Sequence, residues 1–259
     1  MILDLQGLCT VYKSFSIKEG LPIMIHFIGD MHMHTLASGH AYGTIREMAQ
    51  AASEQKMEVI GITEHGPGIP GTCDPFYFCN FEVIPKTLFG VRVLHGCEIN
   101  VLDNGTLSLE ERRVQQLDYG IVGIHLQCYE NAGAEKNTDN LIACMTHPKI
   151  RIVSHPDDDH SPLDYRRLVR AARETHTALE LNESSLRKLH FRLNCIRNYE
   201  TMLTYCKEEG VFIIVNSDAH DPSEVGRFSR AEAFLERLDF PSSLILNTDK
   251  QRLMSFLLD

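Results

Sequence analysis

The chain has 259 residues and a formal net charge of −10 at pH 7, with 43% hydrophobic and 23% charged residues. These proportions are typical of a folded globular protein and exclude a disordered chain. Because phosphate backbones are held by clustered Lys and Arg, the acidic balance argues against nonspecific nucleic-acid binding. The length fits one large α/β barrel, and we predict a single domain.

Eight cysteines are scattered along the chain without a Cys-x-x-Cys pair, which predicts reduced thiols in a cytoplasmic protein. No apolar run approaches the ~20 residues that a membrane-spanning helix needs, so we expect no membrane partner. Residues 1–23 carry no docking pattern and are predicted to be an N-terminal extension. Since the first confident strand begins at Met24, that residue is a candidate natural start, and the domain is predicted to span 24–259.

Short apolar runs alternate with amphipathic segments along the chain. The first helix is predicted over 44–56, where Thr44 and Glu47 form a capping box. Further helices are predicted over 109–117, 137–145, 163–175, 190–209, 223–238 and 248–258. Strands are predicted around Ile28 and over 59–63, 91–97, 119–124, 150–154, 178–182 and 211–215. This alternation predicts a parallel sheet with crossover helices, either as a barrel or as an open doubly wound sheet.

Polar side chains follow the apolar runs at six separate strand ends. His32 and His34 alternate along an extended backbone, so their imidazoles point to the same side. In a barrel the carboxyl ends of the strands converge on one rim, whereas an open sheet spreads them along an edge. The placement therefore favours an α/β barrel with nine candidate metal ligands at its rim: His32, His34, His40, His65, Glu98, His125, His155, Asp218 and His220.

Imidazole and carboxylate donors of this kind bind zinc, manganese or iron. A catalytic ion typically takes three protein ligands and keeps a position for water, so nine ligands imply two or three divalent ions. A carboxylate is the natural bridge between ions, and we favour Glu98 over Asp218. Such a cluster suits phosphate ester hydrolysis, because the ions lower the pKa of a bound water and hold the phosphoryl oxygens. Amide hydrolysis would use similar ligands, so the spacing of the donors alone does not separate the two reactions.

Six short motifs occur in order along the chain: Asp30-Met31-His32-Met33-His34-Thr35, Ile62-Thr63-Glu64-His65-Gly66, Gly96-Cys97-Glu98, Gly123-Ile124-His125, Ser154-His155-Pro156 and Asn216-Ser217-Asp218-Ala219-His220. They resemble the successive motifs of the polymerase and histidinol phosphatase (PHP) superfamily. The length and the Leu36-Ala37-Ser38 segment before His40 resemble its YcdX-like branch of stand-alone phosphatases. The resemblance implies a distorted (β/α)7 TIM-like barrel and a trinuclear centre, usually of zinc, with manganese or iron as alternatives.

The family pattern implies which ligands share each ion. It assigns the first ion to His32, His34, Glu98 and Asp218, the second to the bridging Glu98 with His125 and His155, and the third to His40, His65 and His220. Two positions depart from the pattern. Glu64 stands where Asp is usual, which predicts altered support of His65. The run Asp157-Asp158-Asp159 replaces the Gly that commonly follows His-Pro, and we interpret it as a solvated loop rather than a repulsive element.

The predicted function is a metal-dependent phosphoesterase that hydrolyses a small phosphomonoester through a metal-activated hydroxide, without a covalent intermediate. The attacking water is predicted to lie among Glu98, His125, His155 and Asp218. Histidinol-phosphate phosphatase, or a nucleotide phosphoesterase, is the alternative activity. A catalytically silent metal-binding module that serves a protein partner is the alternative outside the enzymes. The sequence leaves the oligomeric state open.

Three basic residues follow the sixth strand end and are candidate phosphate-binding residues: Arg187, Lys188 and Arg192. A solvated helix start is the alternative for this segment. Six further histidines lack the strand-end placement and are predicted to be structural or solvated: His26, His95, His147, His160, His176 and His190.

Overall fold

The predicted apolar runs form parallel strands that are buried on both faces, as expected where helices cover a sheet. The computed structural model describes residues 25–259, so the predictions for residues 1–23 and for a start at Met24 lie outside the described residues. The strands are β1 (Gly29–Asp30), β2 (Val59–His65), β3 (Thr87–Leu88), β4 (Val91–Asn100), β5 (Tyr119–Gly123), β6 (Ile150–Val153), β7 (Ala178–Asn182) and β8 (Ile213–Asn216). All pair in parallel and in chain order except β3, which pairs antiparallel with β4.

Helices alternate with the strands, as the sequence pattern predicts. They are α1 (Ile45–Glu54), α2 (Glu111–Val114), α3 (Ala134–Met145), α4 (Tyr165–Thr175), α5 (Glu183–Arg187), α6 (Cys195–Glu209), α7 (Ser229–Arg237) and α8 (Lys250–Leu258). The capping box of Thr44 and Glu47 is present at the start of α1. No helix within residues 25–259 is long and apolar enough to cross a bilayer.

The sheet curls until its first and last strands meet, but side chains make much of the closing contact. A single parallel bridge joins Met33 to Ala219 beyond the ends of β1 and β8. Asn216 Oδ1 accepts a hydrogen bond from the Met31 amide at 2.8 Å. The Ser217 amide donates to Asp30 Oδ1 at 3.1 Å. The predicted distorted seven-stranded α/β barrel in one domain is confirmed.

Apolar side chains fill the barrel interior and seal its amino-terminal end. Tyr119 is fully buried there and its hydroxyl donates to the Met31 carbonyl at 2.6 Å. A side chain at Gly61 would overlap the Tyr119 hydroxyl, so only glycine allows this close approach. Leu253 and Phe256 of α8 pack against the same interior cluster. A second cluster fills the space between the strands and the surrounding helices.

Three predicted boundaries are wrong in ways that concern the site. The helix predicted over 190–209 begins at Cys195, because Asn194 adopts a left-handed conformation with φ 59°. Residues 188–194 are therefore a loop over the rim. Strand β4 continues to Asn100, so Glu98 lies inside a strand rather than at its end. The helix predicted over 109–117 is reduced to the single turn of α2.

Candidate metal centre

The nine predicted ligands meet at the carboxyl end of the barrel. His65 is the last residue of β2, and Glu98 lies two residues before the end of β4. The others lie in the loops that leave β1, β5, β6 and β8. Seven line one cavity of about 200 Å³, namely His40, His65, Glu98, His125, His155, Asp218 and His220. His32 and His34 lie beneath it, fully buried.

The carboxylate of Glu98 stands at the middle of the cluster. It is fully buried, although a charged side chain in a strand interior is rarely buried without partners. Its Oε1 lies 2.8 Å from His155 Nε2 and 3.4 Å from His125 Nε2. Its Oε2 faces three further ring nitrogens: His65 Nδ1 at 2.9 Å, His32 Nε2 at 3.4 Å and His34 Nε2 at 3.5 Å. One carboxylate therefore contacts five imidazoles from four chain segments, as a bridging ligand would.

Asp218 is a second carboxylate that imidazoles surround. Its Oδ1 lies 3.3 Å from His34 Nε2 and 3.6 Å from both His32 Nε2 and His220 Nδ1. The ring of His220 extends the cluster outward, with its Nε2 3.3 Å from His40 Nε2. His40 thus joins the cluster from the loop after β1, at the most exposed edge of the site.

Ring nitrogens that face each other indicate a place for a cation. His32 Nδ1 lies 2.8 Å from Glu180 Oε1 and donates its proton there. When His32 is neutral, the lone pair of its Nε2 faces His34 Nε2, which is 3.1 Å away. Two facing lone pairs repel unless a proton or a metal ion lies between them. Three groups of donor atoms lie within 4.8 Å of one another: His32, His34 and Asp218; His34, His65 and His220; and His65, Glu98 and His125.

The protonation states also suit metal ligands. Burial opposes the charge of Glu98, but the imidazoles of His32, His125 and His155 hold the pKa of this carboxyl well below its ordinary value. Burial lowers the pKa of the His34 imidazole well below its ordinary value, and His65 lowers it further. An anionic carboxylate and a neutral imidazole are the forms that bind metal.

His32 behaves differently because three carboxylates surround it. Burial lowers its pKa, yet Glu180, Glu98 and Asp218 outweigh burial and raise the pKa of His32 well above its ordinary value. The cluster therefore carries an excess of negative charge that a cation would neutralise. The donor set and its charge fit divalent metal ions.

Glu180 is a functional residue that the sequence reasoning missed. Its carboxylate is fully buried in β7 and receives four hydrogen bonds. Oε1 accepts from His32 Nδ1 and from Asn216 Nδ2, both at 2.8 Å, and Oε2 accepts from the His155 amide at 2.7 Å and from Asn182 Nδ2 at 3.0 Å. It orients two predicted ligands at once. A glutamate inside the apolar run 178–182 was the available signal.

Glu64 connects to the site through Ser38. Its Oε2 accepts a hydrogen bond from Ser38 Oγ at 2.6 Å. Ser38 Oγ in turn lies 3.1 Å from His34 Nδ1 and accepts the His65 amide at 3.1 Å. The predicted support of His65 thus reaches only its backbone, whereas the imidazole that the relay orients belongs to His34.

The backbone is strained at two predicted ligands. His155 has φ 28° and Asp218 has φ 52°, in the left-handed region that residues with a Cβ rarely adopt. The His155 conformation is held by Glu180 on its amide and by a bond from the Asp157 amide to its carbonyl at 2.8 Å. Strain of this kind is typical of functional sites, where the surrounding structure fixes an unfavourable conformation.

The three candidate phosphate-binding residues separate in the structure. Lys188 and Arg192 line the cavity above the predicted ligands. Arg187 instead pairs with Glu224 Oε1 at 2.9 Å and lines none of the described cavities at the rim.

The solvated-loop interpretation of the run 157–159 is wrong for its first residue. Asp157 is fully buried, and its Oδ1 lies 3.4 Å from Arg192 Nη1. Asp158 Oδ1 accepts the Leu193 amide at 3.0 Å, and Asp159 Oδ2 accepts from Asn194 Nδ2 at 2.7 Å. The three acids therefore fasten the loop 188–194 over the rim, because that loop offers a cation to Asp157 and hydrogen-bond donors to Asp158 and Asp159.

Comparison with known proteins identifies one matching domain family and several similar proteins. The profile of the PHP domain matches residues 30–188. A probable phosphatase of Clostridium novyi is 38% identical over 232 residues, which cover 89% of this chain and 94% of that protein. A probable phosphatase of Caldanaerobacter subterraneus is 37% identical over 235 residues, which cover 90% of this chain and 92% of that protein.

Among solved structures, the histidinol phosphate phosphatase of Lactococcus lactis, in complex with zinc, L-histidinol and phosphate, superposes with a TM-score of 0.54. It is 17% identical, and the alignment covers 82% of this chain and 94% of that chain. At this identity the likeness concerns the fold. The domain match and the two relatives, which span nearly their whole length, show that this chain belongs to the PHP domain family.

Proposed function

We propose that the protein hydrolyses small phosphomonoesters at a centre of three divalent metal ions on the carboxyl rim. The observation that carries the proposal is the buried Glu98 carboxylate, which contacts five imidazoles within 3.5 Å. The coarser assignment, a metal-dependent phosphatase, follows from the family and from the donor cluster. Nine donors exceed the needs of one ion, which supports a polynuclear centre.

The proposed ion sites use the nine residues as ligands. The first ion would take His32, His34, Glu98 and Asp218; the second Glu98, His125 and His155; and the third His40, His65 and His220. The nitrogen-rich donor set suits zinc, with manganese or iron as alternatives. Bound ions would activate a water molecule and neutralise charge on the phosphoryl oxygens.

The residues around the cavity support direct attack by water. Among residues 25–259, those that line the metal-centre cavity include no Ser, Thr or Cys that could become a covalent nucleophile. In the proposed step a water oxygen forms a bond to phosphorus, the bond from phosphorus to the alcohol oxygen breaks, and the alcohol takes up a proton. Lys188 and Arg192 would hold the phosphoryl oxygens, since both are cationic and line the cavity. Arg187 has no part in this proposal, because it does not line this cavity and instead pairs with Glu224.

The test combines metal analysis with turnover. Elemental analysis of freshly purified protein is expected to give about three divalent ions per chain. Hydrolysis of p-nitrophenyl phosphate is expected with zinc or manganese and is lost on chelation. His125→Ala should abolish turnover while the circular dichroism spectrum stays unchanged. Full activity of that variant would contradict the role of His125.

Two alternatives are separated by the same assay. L-histidinol phosphate is a candidate substrate, because the superposed Lactococcus lactis enzyme binds L-histidinol and phosphate. Nucleoside 3′- and 5′-monophosphates test a nucleotide phosphoesterase. Protein with its full metal content that hydrolyses no phosphomonoester would instead favour a metal-binding module serving a protein partner.

A further inference from the structure

A second cavity adjoins the metal-centre cavity. Its volume is about 220 Å³, the space of roughly seven water molecules at about 30 Å³ each. It lies between the loops that follow β5 and β6. It shares four lining residues with the metal-centre cavity, namely His125, Gln127, His155 and Arg192. A substrate whose phosphoryl group lies on the metal side could therefore extend into this space.

The walls of the second cavity are part apolar and part polar. Ile124, Leu141 and Leu163 supply apolar surface, which suits a carbon skeleton. Ser154 also lines the cavity, and its hydroxyl is buried without a hydrogen-bond partner among the described residues. A buried polar group without a partner is costly, so a ligand group or a water that reached this hydroxyl would be stabilised by it.

Two carboxylates line the second cavity and disfavour an anion placed beside them. Asp157 and Asp158 both line it, and Arg192 is the cation that faces them. Arg192 is already engaged, because its Nη1 lies 3.4 Å from Asp157 Oδ1. This pairing holds the guanidinium at the junction of the two cavities and leaves the charge of Asp158 to the second cavity. His160 contacts Asp158 as well, with Nδ1 2.7 Å from Oδ1.

We propose that this second cavity is an alcohol subsite, which binds the leaving alcohol of a phosphomonoester and selects compact alcohols that are uncharged or positively charged. The inference rests on the proposed function and adds to it the class of substrate. The phosphoryl group lies on the metal side, Arg192 lies at the junction, and the alcohol lies against Ser154 and the apolar wall. An alcohol that carries a carboxylate or a second phosphate meets the charge of Asp158 and is disfavoured.

Two esters of the same skeleton test the selection. Glycerol 3-phosphate and 3-phosphoglycerate differ in one terminal group, a hydroxymethyl in the first and a carboxylate in the second. We expect kcat/KM at about pH 8 to favour glycerol 3-phosphate by roughly tenfold or more, because like charges at close range are strongly disfavoured. Equal kcat/KM values, or a preference for 3-phosphoglycerate, would overturn the alcohol subsite.

A matched pair of variants locates the selection. Asp158→Asn keeps an oxygen that accepts the Leu193 amide and removes the charge, so the preference should shrink at least threefold. Asp159→Asn removes a neighbouring charge that does not line the cavity, and it should leave the preference unchanged. An equal effect of both variants would refute the subsite, because the preference would then arise from the overall negative charge of this region rather than from Asp158. If p-nitrophenyl phosphate is hydrolysed without any preference between the glycerol esters, the subsite fails and the proposed function stands; if no ester is hydrolysed, both fail.

Discussion

The two ends of the barrel are built from the same strands but carry opposite kinds of side chain. At the amino-terminal end, Tyr119, Leu253 and Phe256 pack in an apolar interior. At the carboxyl end, fully buried Glu98 and Glu180 lie among histidines. Burying a carboxylate destabilises the fold unless the group is paired. At this end the histidines and the hydrogen-bond donors around the two carboxylates provide that pairing. In this barrel, as in others of its kind, the side chains that stabilise the fold lie toward the amino-terminal end and the candidate functional side chains lie at the carboxyl end.

The largest expected effect comes from removing the central carboxylate. Glu98→Gln keeps the shape but loses the charge shared by five imidazoles. Activity should fall by more than about 100-fold, beyond the 10- to 100-fold typical of outer partners of ligands. Elemental analysis should show fewer bound ions per chain. Unchanged metal content together with unchanged turnover would refute the bridging role.

The matching change at the other end should affect stability instead. Leu253→Ala removes a fully buried side chain of α8 and should lower the free energy of unfolding by about 2–5 kcal/mol. Because Leu253 packs in the apolar interior cluster and lines neither cavity at the rim, kcat of the folded variant is expected to equal that of the wild type. Urea unfolding and turnover on the same preparation check both statements. A large loss of kcat at full folding would break the separation between the two ends.

Glu180 tests the support beneath the metal centre. Glu180→Gln replaces an acceptor with a donor beside His32 Nδ1 or the His155 amide, and both are themselves donors. We expect metal affinity to fall by about 10- to 100-fold. Competition with a chelator of known affinity measures it, without reference to activity. As a control, Glu200→Gln alters an exposed ion pair with Arg237 and should leave metal affinity unchanged.

The smallest effect concerns a buried histidine outside the metal centre. His95 stacks on Phe81 with ring centroids 4.8 Å apart, and burial lowers the pKa of its imidazole below the ordinary value. The folded chain then binds fewer protons than the unfolded chain, so the His95 contribution is complete above about pH 6.5 and is lost as the pH falls below it.

The variant His95→Phe keeps an aromatic ring against Phe81 and removes this titration. In metal-free protein with chelator, its Tm should fall less between pH 7.5 and 5.5 than that of the wild type. Chelation is needed because protonation of the ligand histidines would otherwise release metal over the same range. Identical decreases in Tm for the two proteins would show that His95 does not contribute.

Much of the candidate site could be predicted because its residues follow strands in a regular pattern. His65, His125 and His155 each come at or soon after an apolar run, and parallel strands bring their carboxyl ends together. Local spacing and a general rule of topology were therefore sufficient to place them on one rim. The residues that orient these histidines by hydrogen bonds occupy no regular position in the sequence pattern. Glu180 is one polar residue in a buried strand, and Ser38 lies in a loop, so their roles depend on distances across the barrel.

The loop 188–194 shows a second limit of sequence reasoning. Its residues continue the periodicity of a helix, yet Asn194 turns left-handed and the helix starts later, at Cys195. Contacts from Asp158 and Asp159 hold the loop in this path. Local propensity is a weak preference, and tertiary hydrogen bonds outweigh it here. This loop is also what places Arg192 at the rim.

The sequence by itself determined the barrel, the rim and the candidate donors, because alternating strands and helices admit few topologies and each donor lies near the carboxyl end of a strand or in the loop that follows it. Only the tertiary structure decided which atoms face each other, how Glu180 orients His32 and His155, and which of the three basic residues line the metal-centre cavity. These outcomes depend on contacts between residues far apart in the chain, and such contacts are set by packing rather than by local pattern.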